Sequence, residues 1–206
     1  YSRLLSEKFS MGLTGRYIYS NLTGAFSGID AKPGNSIAVD IGAYYTTDFR
    51  TAKSSSLSLG AAITNIGAKL SYTDNQNKDF LPTNLRLGAA YTTELDPYNS
   101  ITFVLDFNKL LVPTPPIRAT DGTIIYGKDD NRSLLSGMFG SFTDAPNGFD
   151  EEIQEIMTSI GVEYCYNDIF AARLGYFNES KNKGNRKYMT LGLGFRRKAF
   201  GIDVAY

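Results

Sequence analysis

The side chains in this sequence that could do chemistry are a glycine-rich run, a few carboxylates and a set of arginines. Gly122-Thr-Ile-Ile-Tyr-Gly127-Lys128-Asp129 approaches the spacing of a phosphate-cradling loop. However, Asp129 stands where a Ser or Thr would be required, and no helical pattern follows. The run reads as a hairpin in a loop. Asp106 and Glu163 are of the type that can divide acid and base work. Asp129-Asp130-Asn131 offers oxygens to a cation, in what reads as a solvated loop tip. Histidine is absent and Cys165 is the single cysteine. The commonest general base and any multi-cysteine metal site are therefore missing. No catalytic residue, no metal and no cofactor is expected.

A more regular set is Arg16, Asp40, Arg86, Asp106, Glu163, Arg173 and Asp203. Each is a single charge set mid-strand on a face otherwise made of Gly, Ala, Thr and Ser. Three arginines and four acids facing a narrow lumen can pair, Arg86 and Arg173 with Asp106 and Glu163, which offsets part of their desolvation. Lys+Arg and Asp+Glu are equal at 21 each, so no net field points to nucleic acid.

These charges need strands to hold them. From Pro82 to Pro116, Leu85, Leu87, Ala89 and Tyr91 alternate with Asn84, Arg86, Gly88 and Ala90. After Asp96-Pro97-Tyr98-Asn99, Ile101, Phe103, Leu105 and Phe107 alternate with Thr102, Val104, Asp106 and Asn108. Period-2 patterning on both arms, with turn chemistry between, makes a long hairpin. Each arm has the length a tilted transmembrane strand needs, and the same alternation recurs along the chain to give about ten strands.

A soluble sandwich also alternates, but three features favour a transmembrane antiparallel β-barrel, an all-β fold. Connections alternate short and long, as in outer-membrane barrels. The polar faces carry single charges rather than scattered Lys and Glu. Tyr and Phe gather near strand ends, as girdles do. No run of residues is apolar enough for a transmembrane helix. Both ends look like strands cut midway, so the chain is expected to be part of a longer polypeptide. Residues 1–206 form one partial barrel domain, with a long outer-loop insertion at about 111–157.

That insertion holds the partner-binding candidates. Lys109-Leu110-Leu111-Val112-Pro113-Thr114-Pro115-Pro116 leaves a strand with three apolar residues and a proline-stiffened turn, suited to docking or to a rigid loop start. Phe139 and Phe142 follow. Phe149 to Met157 reads as a helix with acids in its first turn, and Phe149, Ile153, Ile156 and Met157 share one face. Such a helix serves as a plug on the barrel mouth or as a surface for another protein.

At Pro82-Thr-Asn-Leu-Arg-Leu-Gly, Phe107 to Pro116 and Gly137-Met-Phe-Gly-Ser-Phe-Thr-Asp-Ala-Pro146 the chain resembles the PorV (LptO) family. The likeness continues through Glu151–Ile156, Gly161–Tyr164, Arg173–Phe177 and Lys183–Arg186, and is least distinctive before Phe9. The resemblance implies a multi-pass protein of the bacterial outer membrane, part of the type IX secretion system of Bacteroidota. It implies a FadL-like barrel, of about fourteen strands when whole. It further implies a non-enzymatic shuttle that takes cargo C-terminal signal domains at the translocon barrel and delivers them to the sortase attachment complex, amid outer-membrane lipid. The alternative is a FadL-like transporter of hydrophobic small molecules.

Overall fold

The computed structural model describes residues 1–21, 32–50, 54–72 and 78–206. The interiors of three connections expected from the sequence, in the Asn21–Asn35 loop, the Phe49–Ser55 link and the Gly67–Leu81 loop, lie outside the described residues.

Ten strands form one antiparallel sheet in chain order. They are β1 (Ser2–Ser6), β2 (Phe9–Ser20), β3 (Gly34–Arg50), β4 (Ser54–Gly67), β5 (Asn84–Asp96) and β6 (Asn99–Leu110). A long excursion then carries a small hairpin, β7 (Ile117–Arg118) with β8 (Ile124–Tyr126), and two short helices, α1 (Leu134–Gly140) and α2 (Phe149–Gln154). The sheet resumes with β9 (Met157–Tyr166), paired directly to β6, then β10 (Phe170–Asn178), β11 (Lys187–Arg197) and β12 (Phe200–Ala205). β1 and β12 are the two edges.

Local chemistry sets the turns at one end of the sheet. Asp96 Oδ1 accepts the backbone N–H groups of Tyr98 at 2.9 Å and Asn99 at 3.0 Å, closing the β5–β6 turn. Asn167 and Asp168 both take positive φ, the left-handed pair that matches the twist of a two-stranded ribbon. The other end carries the longer connections, so the expected rhythm of short and long holds wherever the chain is described.

The ladder keeps like residues on one face. Leu87 faces Phe107, and Phe103 lies between Tyr91 and Val162. On the other face Thr102 lies between Thr92 and Glu163, which faces Arg173. The apolar face is bare: Leu87, Phe103 and Leu191 are exposed, and Leu193 is 68% exposed. No second sheet covers it among the described residues. An uncovered apolar face spanning ten strands far exceeds the small patches that soluble monomers show.

The buried hydrophobic residues lie instead at the long-loop end. Ala38, Leu70 and Leu81 form a cluster with Ile18 and Tyr72 against it. Ile18 and Ala38 stand two residues from Arg16 and Asp40, so alternation puts them on the polar face. The segment after β4 therefore folds over the polar side of the sheet. Gly67 permits this closeness, because a Cβ there would meet Leu81 and the backbone of Ile37.

Candidate functional site

Two charged assemblies stand out, one on the polar face and one in the loop cap. On the polar face, Arg173 donates to Glu163 from Nε and to Asp203 Oδ1 from Nη1 at 2.6 Å, tying β9, β10 and β12 together. Glycines at 192 and 194 of the intervening β11 leave room for that reach; a Cβ on Gly194 would crowd both Asp203 and Arg173. Arg16 Nη2 donates to Asp40 Oδ1 and to Asn65 Oδ1, each at 2.6 Å. A β-bulge builds this second cluster. Two residues of β4, Thr64 and Asn65, oppose Asp40, and Asn65 takes a φ of 61°. The bulge points the Asn65 N–H at Asp40 Oδ1, 2.8 Å away.

Arg86 and Asp106 behave differently. Neither has an ion-pair partner among the described residues, so the expected Arg86–Asp106 pair does not form. Asp106 instead lies flat against Gly88, where a Cβ would overlap its carboxylate. Arg86 and Asp106 flank a trough of about 410 Å³ floored by Gly12, Gly42, Gly60 and Gly88.

The loop cap is held by a buried ionic cluster. Lys109 Nζ donates to Glu152 Oε2 at 3.0 Å and to Glu155 Oε2 at 2.6 Å, and Lys109 is only 6% exposed. Lys183, in the β10–β11 connection, donates to Glu151 Oε1 at 2.6 Å and Glu155 Oε1 at 2.9 Å. The Thr114 hydroxyl adds a bond to Glu155 Oε1 at 2.7 Å. The other oxygen of Glu152 accepts the N–H groups of Asp144 at 2.7 Å and Ala145 at 2.9 Å. One short acidic segment thus fastens the end of β6, the proline run and the β10–β11 loop.

Charge states follow from these contacts. Burial alone would raise the Glu155 pKa, but bonds from Lys109, Lys183 and Thr114 outweigh it and hold it below the ordinary value. The Lys183 bond does the same for Glu151. For Lys183, burial works against the charge and the two glutamates overcome it, raising its pKa. Asp144 moves the other way: burial pushes its pKa up, Oδ2 has no hydrogen-bond partner among the described residues, and Arg132 Nη1 stands 3.8 Å off.

The cap sorts the partner-binding candidates. Lys109, Leu111 (3% exposed) and Pro113 are interior, and Val112 and Pro116 are half-buried. Leu111 and Pro113 therefore hold the loop rather than project from it. Leu110, Pro115, Phe139 and Phe142 are exposed, as are Phe149, Ile153 and Ile156.

The helix expected over Phe149–Met157 ends at Gln154, because Met157 begins β9 and pairs with Asn108. Its orientation also departs from a helix packed on an apolar face. Glu151, Glu152 and Glu155 turn inward to the lysines, Asp150 stays exposed, and Phe149 and Ile153 face out at 75% and 51% exposure. Helix α1 had no counterpart in the sequence reading. Ser133 ahead of Leu134-Leu135, with Met138 and Phe139 four residues on, is its available signal. Gly137 lets the Phe80 ring and Pro113 come close, joining α1 to both loops.

A ten-stranded up-and-down sheet, apolar on one face, charged and glycine-rich on the other and capped at one end by long loops, has the make-up of a β-barrel wall. Residues 1–117, more than half of the chain, match the family model described as type IX secretion system protein PorV. The chain belongs to that family and is a type IX secretion system component. No curated protein matches it.

Proposed function

We propose that this chain sits in the outer membrane and serves as a non-enzymatic carrier within the type IX system. Its apolar face meets lipid, its polar face lines the lumen, and its long connections point outward. It captures cargo C-terminal signal domains beside the translocon barrel and passes them to the sortase attachment complex.

The observation that supports this reading is the cleft beside the proline run. Leu110, Val112, Pro113, Pro115 and Met157 line a hollow of about 190 Å³, with Glu155, Glu179 and Lys183 at its polar side. Its walls are fixed beforehand by the ionic cluster and by prolines, so little ordering cost remains when a partner docks. Phe139 and Phe142 extend the exposed apolar surface of the same excursion.

The test is Leu110→Asp with Val112→Asp, which leaves the interior Leu111 and Pro113 untouched. Folding is read by heat-modifiable mobility, and capture by co-purification of translocon and cargo domain. Normal folding with reduced capture is expected. Normal folding with undiminished capture would overturn the docking role.

One observation favours the transporter reading. The glycine-floored trough gives the polar face room for a small molecule. Saturable binding of a labelled fatty acid, lost in Gly60→Phe, would establish it.

A further inference from the structure

Helix α2 is amphipathic in the inverse sense, and the side of the sheet it covers identifies its environment. Along β6, Leu105 and Phe107 belong to the apolar face, and alternation puts Lys109 on that same face. Lys109 is nevertheless buried, because Glu152 of α2 and Glu155 at its C-cap lie over it. The acidic side of α2 is thus pressed toward the apolar flank of the sheet, just beyond the end of the exposed band. Phe149 and Ile153, one helical turn apart, point the opposite way and are uncovered. Ile156, also exposed, leads from α2 toward Ile160 of the β9 apolar face. A helix bathed in water would carry its acids outward and its apolar residues in.

We infer that α2 is an interfacial element, with Phe149 and Ile153 seated at the boundary of headgroups and acyl chains. The occupant of this face is the bilayer itself. Two observations select lipid over a protein. The α2 face continues the apolar band of the sheet through Ile156 and Ile160, so one surface serves both. Glu151, Glu152 and Glu155, which an anionic lipid surface would repel, are turned inward and matched by Lys109 and Lys183, and Asp150 is the one acid of the segment left exposed. Helices of this kind rest in the interface with their apolar side a few ångström deep, on the order of 5–10 Å. This assignment rests on the membrane reading above and adds a second anchoring point to it.

The sequence contains no tryptophan. Phe149→Trp therefore introduces a depth probe, with the unsubstituted protein as background. The protein is reconstituted in vesicles whose acyl chains carry bromine either near the headgroup or near the chain end. Loss of Trp emission is expected, larger with the shallow bromines. Leu191→Trp, mid-strand on the apolar face, is the companion and should be quenched by the deep bromines. Quenching at position 191 without quenching at 149 overturns the α2 assignment and leaves the membrane reading intact. No quenching at 191 overturns the membrane reading, and this inference with it. A Phe149→Trp probe shielded only when translocon or cargo is added would show a protein surface instead and also overturn it. Should Phe149→Trp fail the heat-modifiable folding check, Ile153→Trp probes the same face.

Discussion

Lys109 and Glu152 meet at 3.0 Å across 43 residues of sequence, each with a side chain only 7% exposed. That contact joins the end of β6 to α2 at the far end of the excursion. Removing Lys109 leaves Glu152 buried without its cation, the costly state for an ion pair, while Glu155 keeps Lys183. Lys109→Met is expected to destabilise the cap by about 3–5 kcal/mol. Adding Glu152→Gln should recover part of the loss, because Gln still accepts the Asp144 and Ala145 N–H groups. Protease resistance of residues 111–156 in the folded protein reads both effects. Equal resistance in all variants would show that the cluster holds nothing.

Orientation of the sheet has a direct test in charge placement. Leu87→Arg or Leu191→Arg near the bilayer midplane should cost about 2–4 kcal/mol in a barrel-folding assay. Gly60→Arg is the matched control, since a Cβ there meets nothing within 4 Å and the position lies on the polar face opposite Gly88. Equal penalties on both faces would reject the assignment of lipid and lumen sides.

The polar-face charges divide into coupled and uncoupled sets. A double-mutant cycle on Arg173→Met and Glu163→Gln should show coupling, because the guanidinium contacts that carboxylate directly. Partial exposure of both side chains keeps the coupling small. The same cycle on Arg86→Met and Asp106→Asn should be additive. Coupling in the second cycle with none in the first would contradict the arrangement.

The strands and their faces were legible because period-2 alternation is a local property, repeated in every arm of the sheet. Turn positions were legible for the same reason: Asp96-Pro97 and Asn167-Asp168 carry their own backbone chemistry. The bulge at Asn65 was not, since it depends on Asp40 lying opposite. The inverted α2 escaped notice because helical periodicity shows which residues share a face but not where that face points. Lysines at 109 and 183, far away in sequence, hold Glu151, Glu152 and Glu155 inward in place of the usual apolar packing. Leu111 and Pro113 looked like a presented edge for a similar reason, as what they meet comes from other segments: the Leu111 N–H donates to the Thr83 carbonyl, and Pro113 lies against Gly137.

Acidification should loosen the cap, with a sign set by the groups that hold it. The folded pKa values of Glu155 and Glu151 lie below their ordinary value of 4.5. The unfolded loop therefore binds more protons than the folded one in that window, and stability falls as pH drops. Their contribution is present above pH 4.5 and lost as pH falls through the lowered folded values. Lys183, raised above 10.5, stays charged throughout this range and contributes no slope there. Asp144 opposes the trend: its raised pKa makes its ionisation a cost that protonation relieves as pH falls toward 3.8. Asp144→Asn removes this opposing group, so it should strengthen the cap at neutral pH and steepen its loss in acid. The measurement is protease resistance of residues 111–156 from pH 7 downward, using an acid-tolerant protease and the folded barrel as reference. Glu155→Gln should weaken the cap at neutral pH and flatten the profile. Protection that rises on acidification, or a Glu155→Gln profile identical to the parent, would show that these carboxylates do not fasten the loop.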